Sequence, residues 1–385
     1  MKKYLLGIAV LLMGTAVMTS CSDDDDDAQQ TYLQAYSTGA YVVNAGAMYS
    51  SIESSLTFID YASSTAMQKV FSAANGRSLG NTANDGIVYG SKIYIAVDQS
   101  NTIEVIDKTT RKSLKQINTT SLMGTAEGNE PRHIISSDGK VYFTTYGGYV
   151  AAIDTTSYQL QAKYQVGSYP EGLAAGNGSI YVANSNYGSG GGTLSCINLA
   201  SGQVETKTIE GVNNPIGIFY TAGTVYVSDN QYYDASYHTL GENTLRQVDF
   251  ENGTSQKVAD GNYAALYNPS VATRTEVISS FFYVLNAPYG STSPSVSIYI
   301  PGSTGAQKLD ISEMPASPCG IFADPLTGHF FVLSYKMGDY GYADYNGDGY
   351  VVEYNSNGEK QHEYSTGVGQ CAMFFDSAYK TEYVK

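Results

Sequence analysis

Short apolar runs bounded by turn residues recur along this chain at intervals of about 50 residues, and their β-branched and aromatic make-up suits strands rather than helices. Residues 170–209 set out the unit. PEGLAA at 170–175 leads through a turn at Gly176-Asn177-Gly178 into IYVAN at 180–184; after a variable loop come TLSCIN at 193–198, a turn at Ser201-Gly202, and VETKTI at 204–209. Four short strands joined by turn residues are the content of one propeller blade. The second strand returns at 41–44 (YVVN), 93–96 (IYIA), 141–144 (VYFT), 225–228 (VYVS), 282–285 (FYVL) and 330–333 (FFVL). The third strand ends at 58–60 (FID), 105–107 (VID), 152–154 (AID), 247–249 (QVD), 297–299 (SIY) and 352–354 (VEY). Seven of each predict an all-β, seven-bladed β-propeller over residues 36–385.

The repeat opens at a second strand, residue 41 onward, and closes on a lone inner-strand pattern, QCAMFF at 370–375. The expectation is that the C-terminal strand completes the first blade, which removes free sheet edges. Two β-sandwiches, the alternative, would explain neither the even spacing nor the orphan last strand.

Strand order also decides which loops share a face. Loops after second strands and segments leading into inner strands both lie on one face, the top. Bottom turns are short, such as Ser137-Asp138-Gly139 and Ala222-Gly223, whereas top loops are long and rich in Tyr, Asn and Gly. Binding residues concentrate on loops held by a rigid scaffold, and Tyr offers a large contact area with few rotatable bonds. The candidate ligand contacts are therefore Arg132, His133, Tyr146, Tyr169, Asn184, Asn186, Tyr187, Tyr232, Tyr233, Tyr237, Tyr267, Asn268, Tyr289, Tyr335, Met337, Tyr340 and Gln370. The bland alternative is tolerated insertions whose tyrosines pack within strands and loops.

The N-terminus has a different pattern. Lys2 and Lys3 precede an apolar run from Tyr4 to Met18, too short for a comfortable membrane span and suited to a signal peptide over residues 1–20. The run ends Val17-Met18-Thr19-Ser20-Cys21, which resembles the lipobox of bacterial lipoproteins, with Met18 where Leu is usual. That resemblance implies lipid on Cys21. Asp23 to Asp27 then repel one another and cannot pack, so residues 21–35 are expected to be a solvated tether. An acidic run directly after the cysteine resembles the surface-export signal of Bacteroidota lipoproteins, implying display at the outer-membrane surface; the periplasmic leaflet is the alternative. Attachment would be through lipid alone.

Composition narrows the function. The formal net charge is −15, against binding nucleic-acid backbones. There are 35 Tyr, 40 Gly and no Trp. Cys196, Cys319 and Cys371 are an odd number for a disulfide framework, although Cys319 and Cys371 hold equivalent places in neighbouring inner strands. Of four histidines, none pairs at metal-ligand spacing, and no nucleophile elbow or P-loop occurs. Glu130 and Glu171 are the candidate carboxylates for sugar hydrolysis, and the chain is expected not to be an enzyme. Asp344, Asn346 and Asp348 stand at alternate positions before Gly349, with the Tyr350 carbonyl next: a pattern able to wrap Ca²⁺ or to make a plain turn. The twelfth position is Asn355, not the glutamate of an EF-hand.

The repeat Pro-x-Gly-Ile/Leu, then Ile/Val-Tyr-Val-x-Asn/Asp, then a strand ending Ile-Asp, resembles the YncE-type propellers over nearly the whole body; residues 215–218 (PIGI) and 181–184 (YVAN) are examples. With the lipobox, the acidic tether and the Tyr-rich face, the chain resembles the BtuG-type surface lipoproteins of Bacteroidota. The resemblance implies capture of cobalamin (vitamin B12) without any required cofactor and delivery to a BtuB-type, TonB-dependent outer-membrane transporter. His238 is the nearest histidine for a bond to cobalt, which tight binding does not require. Glycan or other nutrient binding, and a protein-interaction scaffold, stay open as alternatives.

Overall fold

The computed structural model describes residues 31–269 and 279–383; the leader, Cys21 and the acidic run lie outside the described residues. The chain divides into two compact units, residues 1–34 with 380–385, and residues 35–379. The second unit holds seven four-stranded sheets arranged as a seven-bladed β-propeller. Helix is confined, among the described residues, to single turns such as Val70–Asn75 and Thr119–Met123. None is long and apolar enough to cross a membrane.

The sequence repeat and the blades coincide. The first blade runs outward from Gln370–Tyr383 through Thr31–Asn44 and Ser55–Asp60 to Thr65–Met67, so the C-terminal strand is its inner strand. Inner strands of the following blades are Ala83–Tyr89, Pro131–Ser137, Pro170–Gly176, Pro215–Thr221, Tyr263–Tyr267 and Pro318–Ala323. Second strands are apolar on both faces because each is covered by two neighbouring sheets: Ile93 to Val97 are all buried. Outer strands are covered on one side and alternate, as in Leu160–Gln165.

Burial is organised by interfaces. Seven core clusters each bridge two adjacent blades. At the closure, Phe331, Leu333, Val351 and Tyr364 of the last blade pack on Ala40, Val42, Ile59 and Met373 of the first. Each such aliphatic or aromatic side chain contributes about 1.5–3 kcal/mol by leaving water. The C-terminal strand thus completes a sheet and two cores, and its Phe374 stacks on Tyr41 at 5.2 Å.

The recurring Asp at the end of the third strand has a local cause. Its carboxylate accepts N–H groups of the following bottom turn: Asp107 from Thr110 at 2.7 Å, Asp154 from Ser157 at 2.6 Å, Asp249 from Asn252 at 3.0 Å. The Asn or Asp at the end of the second strand does the same for top loops. Asp229 accepts from the N–H of Asn213 and Asn214, and Asn44 Oδ1 from the N–H of Gly367.

Candidate ligand-binding face

Five inner strands slip register at their second or third residue, in the second, third, fourth, fifth and seventh blades. A bulge re-aims side chains without ending the strand. In blades two to four it brings together Asp85, Arg132, His133 and Glu171 near the top.

Arg132 joins three blades. Its Nη1 donates to Asp98 at 2.8 Å and its Nε to Glu171 at 3.1 Å. His133 Nδ1 lies 3.2 Å from Asp85, and its Nε2 3.6 Å from Glu171. Tyr146 donates its hydroxyl to the other oxygen of Glu171. Burial alone would lower the His133 pKa; bonds to Asp85 and Glu171 outweigh it and raise it to about 9. Burial would likewise lift the Glu171 carboxyl, but His133, Arg132 and Tyr146 hold it below its ordinary value. Both glutamate oxygens are engaged, so this network is an electrostatically closed floor.

On that floor stands an aromatic platform. Arg132 lies 4.6 Å from the Tyr146 ring centroid. Tyr146 meets Tyr169 at 5.1 Å and Tyr187 at 6.0 Å, both edge-on, and Tyr169 meets Tyr187 at 5.0 Å. Tyr169 is 39% and Tyr187 67% exposed. Both have left-handed backbone, at φ 50° and 55°. A bulky side chain there is strained, and such strain collects at functional sites.

The other expected contacts divide three ways. Tyr232, Tyr233 and Tyr237 lie on a two-stranded hairpin above the fifth blade, and Tyr232 packs against the Tyr187 loop at Gly190. Tyr289, Met337 and Tyr340 are exposed on the tops of the sixth and seventh blades. Half-buried Tyr335 meets Tyr345 edge-on at 4.8 Å. Asn186 is spent on its own loop, donating to Gly190. Asn184 and Gln370 are 1% exposed, their amides donating within the protein to Ser195 and to Cys319 Sγ.

Tyr267 and Asn268 require correction. The sixth inner strand is Tyr263–Tyr267, so Tyr267 is its last residue and Asn268 follows it, both at the bottom. Tyr267 is buried against Phe281. The Tyr-Asn-Pro sequence imitates the segments that open other inner strands, but this strand starts without proline. Reading it by that imitation also hid Tyr263, which burial pushes up to about 12.

Cys196, Cys319 and Cys371 are free thiols. Cys319 points to the Gln370 carbonyl of the first blade, and Cys371 to those of Ala83 and Asn84 of the second. Cys196, on the third strand of the fourth blade, is half-buried. In the loop with calcium-like spacing, Asp344 Oδ1 accepts the N–H of Asn346 and Gly347, and Asn346 Oδ1 accepts from Ser50 at 2.6 Å. Calcium there would have to displace these bonds. Among the described residues no cluster of three or more His, Cys, Asp or Glu could hold a metal.

Asp85 and Asp98 were not singled out by sequence. Asp85 is legible afterwards as the register partner of Arg132-His133 and Glu171 in its own inner strand; Tyr345 was hidden inside the calcium-like motif. Nothing here is a positive sign of catalysis, since Glu171 is saturated by neighbours and Glu130 bonds only to the Gln99 amide side chain at its carboxylate.

No curated protein matches the chain. Solved structures with similar folds include a putative 6-phosphogluconolactonase from Bacteroides uniformis, 12% identical over 88% of this chain and 99% of that one, TM-score 0.55. Hydrazine synthase of Kuenenia stuttgartiensis is 14% identical over 72% and 86%, TM-score 0.54. The WD40 repeats of RRP9 are 12% identical over 76% and 83%, TM-score 0.53. These likenesses show the fold alone. A family profile described as a domain of unknown function (DUF5074) matches residues 38–131, which span the first blade's N-terminal strands and the second blade.

Proposed function

We propose that this propeller is a lipid-anchored cell-surface binding protein that captures cobalamin on its top face and passes it to a BtuB-type, TonB-dependent outer-membrane transporter. One observation carries the binding part: Tyr146, Tyr169 and Tyr187 form a partly exposed platform over the Arg132–Glu171 floor. Stiff rings already in contact lose little freedom when a ligand arrives. A large ring fringed with amides offers a face to stack and many groups to bond. At ~0.3 kcal/mol per heavy atom, a ligand of that size reaches very tight binding. The acidic tether and lipobox-like Cys21 support surface attachment, and the reading needs no cofactor.

The exposed faces of Tyr169 and Tyr187 suit a pyranose ring equally well, which keeps glycan binding as the second reading. Cyanocobalamin mixed with the purified protein is expected to co-elute with it and to give calorimetric heat. Absence of both overturns the cobalamin reading; heat from oligosaccharides alone selects the second.

A further inference from the structure

Beyond the platform, a two-stranded hairpin stands above the fifth blade. Its strands are Tyr232–Tyr233 and Thr239–Leu240. Its base is locked by Asn243, whose Oδ1 accepts the N–H of Gln231. Tyr232 wedges between two glycines, and a Cβ on Gly190 or Gly241 would come within 2.6 or 2.9 Å of its ring. At the tip, one oxygen of Asp234 accepts the N–H of Ser236 and of His238 at 2.8 and 2.9 Å. The other oxygen lies 3.0 Å from His238 Nδ1.

This is a histidine oriented for ligation. With Nδ1–H directed at a carboxylate, the lone pair is on Nε2 and the ring is held in one orientation. The His238 side chain is 76% exposed, and no hydrogen bond or ion pair engages Nε2 among the described residues. Tyr237, 86% exposed, and Tyr233, 53% exposed, flank it with aromatic surface. Asp234 is held as a carboxylate by the bonds from His238 and Ser236. Among the described residues no group of three or more His, Cys, Asp or Glu includes His238 in a protein-made metal site. A metal bound here must bring its remaining ligands with it.

We infer that His238 Nε2 is an axial ligand for a metal already held in a macrocycle; the inference rests on the cobalamin reading and assigns a bond to it. The step is a ligand exchange. The bond from cobalt to an axial water breaks, the Nε2 lone pair forms a cobalt–nitrogen bond, the water leaves, and the oxidation state of cobalt is unchanged.

The test compares aquocobalamin, whose axial water can leave, with cyanocobalamin, whose cyanide fills that position. The full chain and its His238→Ala variant are each titrated with both, following visible absorption and calorimetric heat. The expected result is a shift of the aquocobalamin bands on binding to the native chain, no such shift with His238→Ala, and shift-free binding of cyanocobalamin to both. Asp234→Asn should keep the shift with affinity lowered about 10–100-fold, the usual effect of removing a carboxylate behind a ligating histidine. Bands that stay still, or move equally with His238→Ala, overturn the ligation and leave capture standing. Failure of both corrinoids to bind overturns the underlying reading as well.

Discussion

Arg132 and Tyr146 meet twice: the guanidinium lies 4.6 Å from the Tyr146 ring centroid, and both side chains donate to the same carboxylate, Glu171. The platform's position is thereby coupled to a salt-bridge network spanning three blades. Removing Glu171 leaves Arg132 with Asp98 alone and His133 with Asp85 alone in a partly buried setting, and takes away the carboxylate between the two cations. Glu171→Ala should therefore destabilise the propeller by about 3 kcal/mol, read as an earlier denaturant midpoint. It should also release Tyr146 and weaken ligand capture. A midpoint within error of the native chain would show that the network is screened rather than structural.

The same network sets a pH dependence. The His133 pKa rises from 6.5 to about 9 on folding, so the folded state holds the proton more tightly than the unfolded chain. Its contribution is complete below about pH 6.5 and is lost as pH rises through about 9. Glu171 has the opposite sign: it is depressed from 4.5, so its contribution exists above that value and fades as pH falls. Melting temperature should plateau between about pH 5 and 6.5 and decline toward pH 10. His133→Gln should flatten the alkaline limb and also shrink the acid one, because His133 is among the groups that hold the Glu171 carboxyl down.

Much of this fold was legible because the repeat is written at each level. The run at 93–97 is apolar throughout since two sheets cover it, and the Asp that closes four of the third strands caps the turn that follows. The platform was half legible. Tyr169 and Tyr187 stood out as loop aromatics, but their contact depends on the left-handed φ at each, which sequence does not mark. Asp98, the partner of Arg132, and Asp85, the partner of His133, both come from the second blade, and the bulge that aims Asp85 is announced by no spacing. Asn184 and Gln370 looked like binding amides because they sit where loops begin, although both are 1% exposed and their N–H groups donate to the fold's own polar groups. Tyr267 failed for a simpler reason: a Tyr-Asn-Pro turn after a strand reads like one before a strand.

Tyr187 offers a clean separation of function from stability. It is 67% exposed with φ 55°, where glycine carries no penalty and a bulky L-residue costs about 1–2 kcal/mol. Tyr187→Gly should leave thermal stability unchanged or raise it, while ligand affinity falls by about thirtyfold, the effect of losing a roughly 2 kcal/mol aromatic contact. A loss of stability with intact binding would make Tyr187 a packing residue.

The inner-strand thiols test the geometry of the ring itself. Burial pushes Cys319 and Cys371 up to about 12, and each points at carbonyls of the next blade. At pH 8 only roughly one in ten thousand of such groups is a thiolate, against about a quarter of free cysteines with a pKa near 8.5. An aromatic disulfide reagent should therefore label neither in the folded protein over minutes, and both at once after unfolding in guanidinium. If unfolded protein yields both thiols only after reduction, the two are bridged and the inner strands of the last and first blades lie closer than described. If folded protein reacts quickly, the blades part at this seam, and closure by the C-terminal strand is looser than the packing of Phe374 on Tyr41 implies.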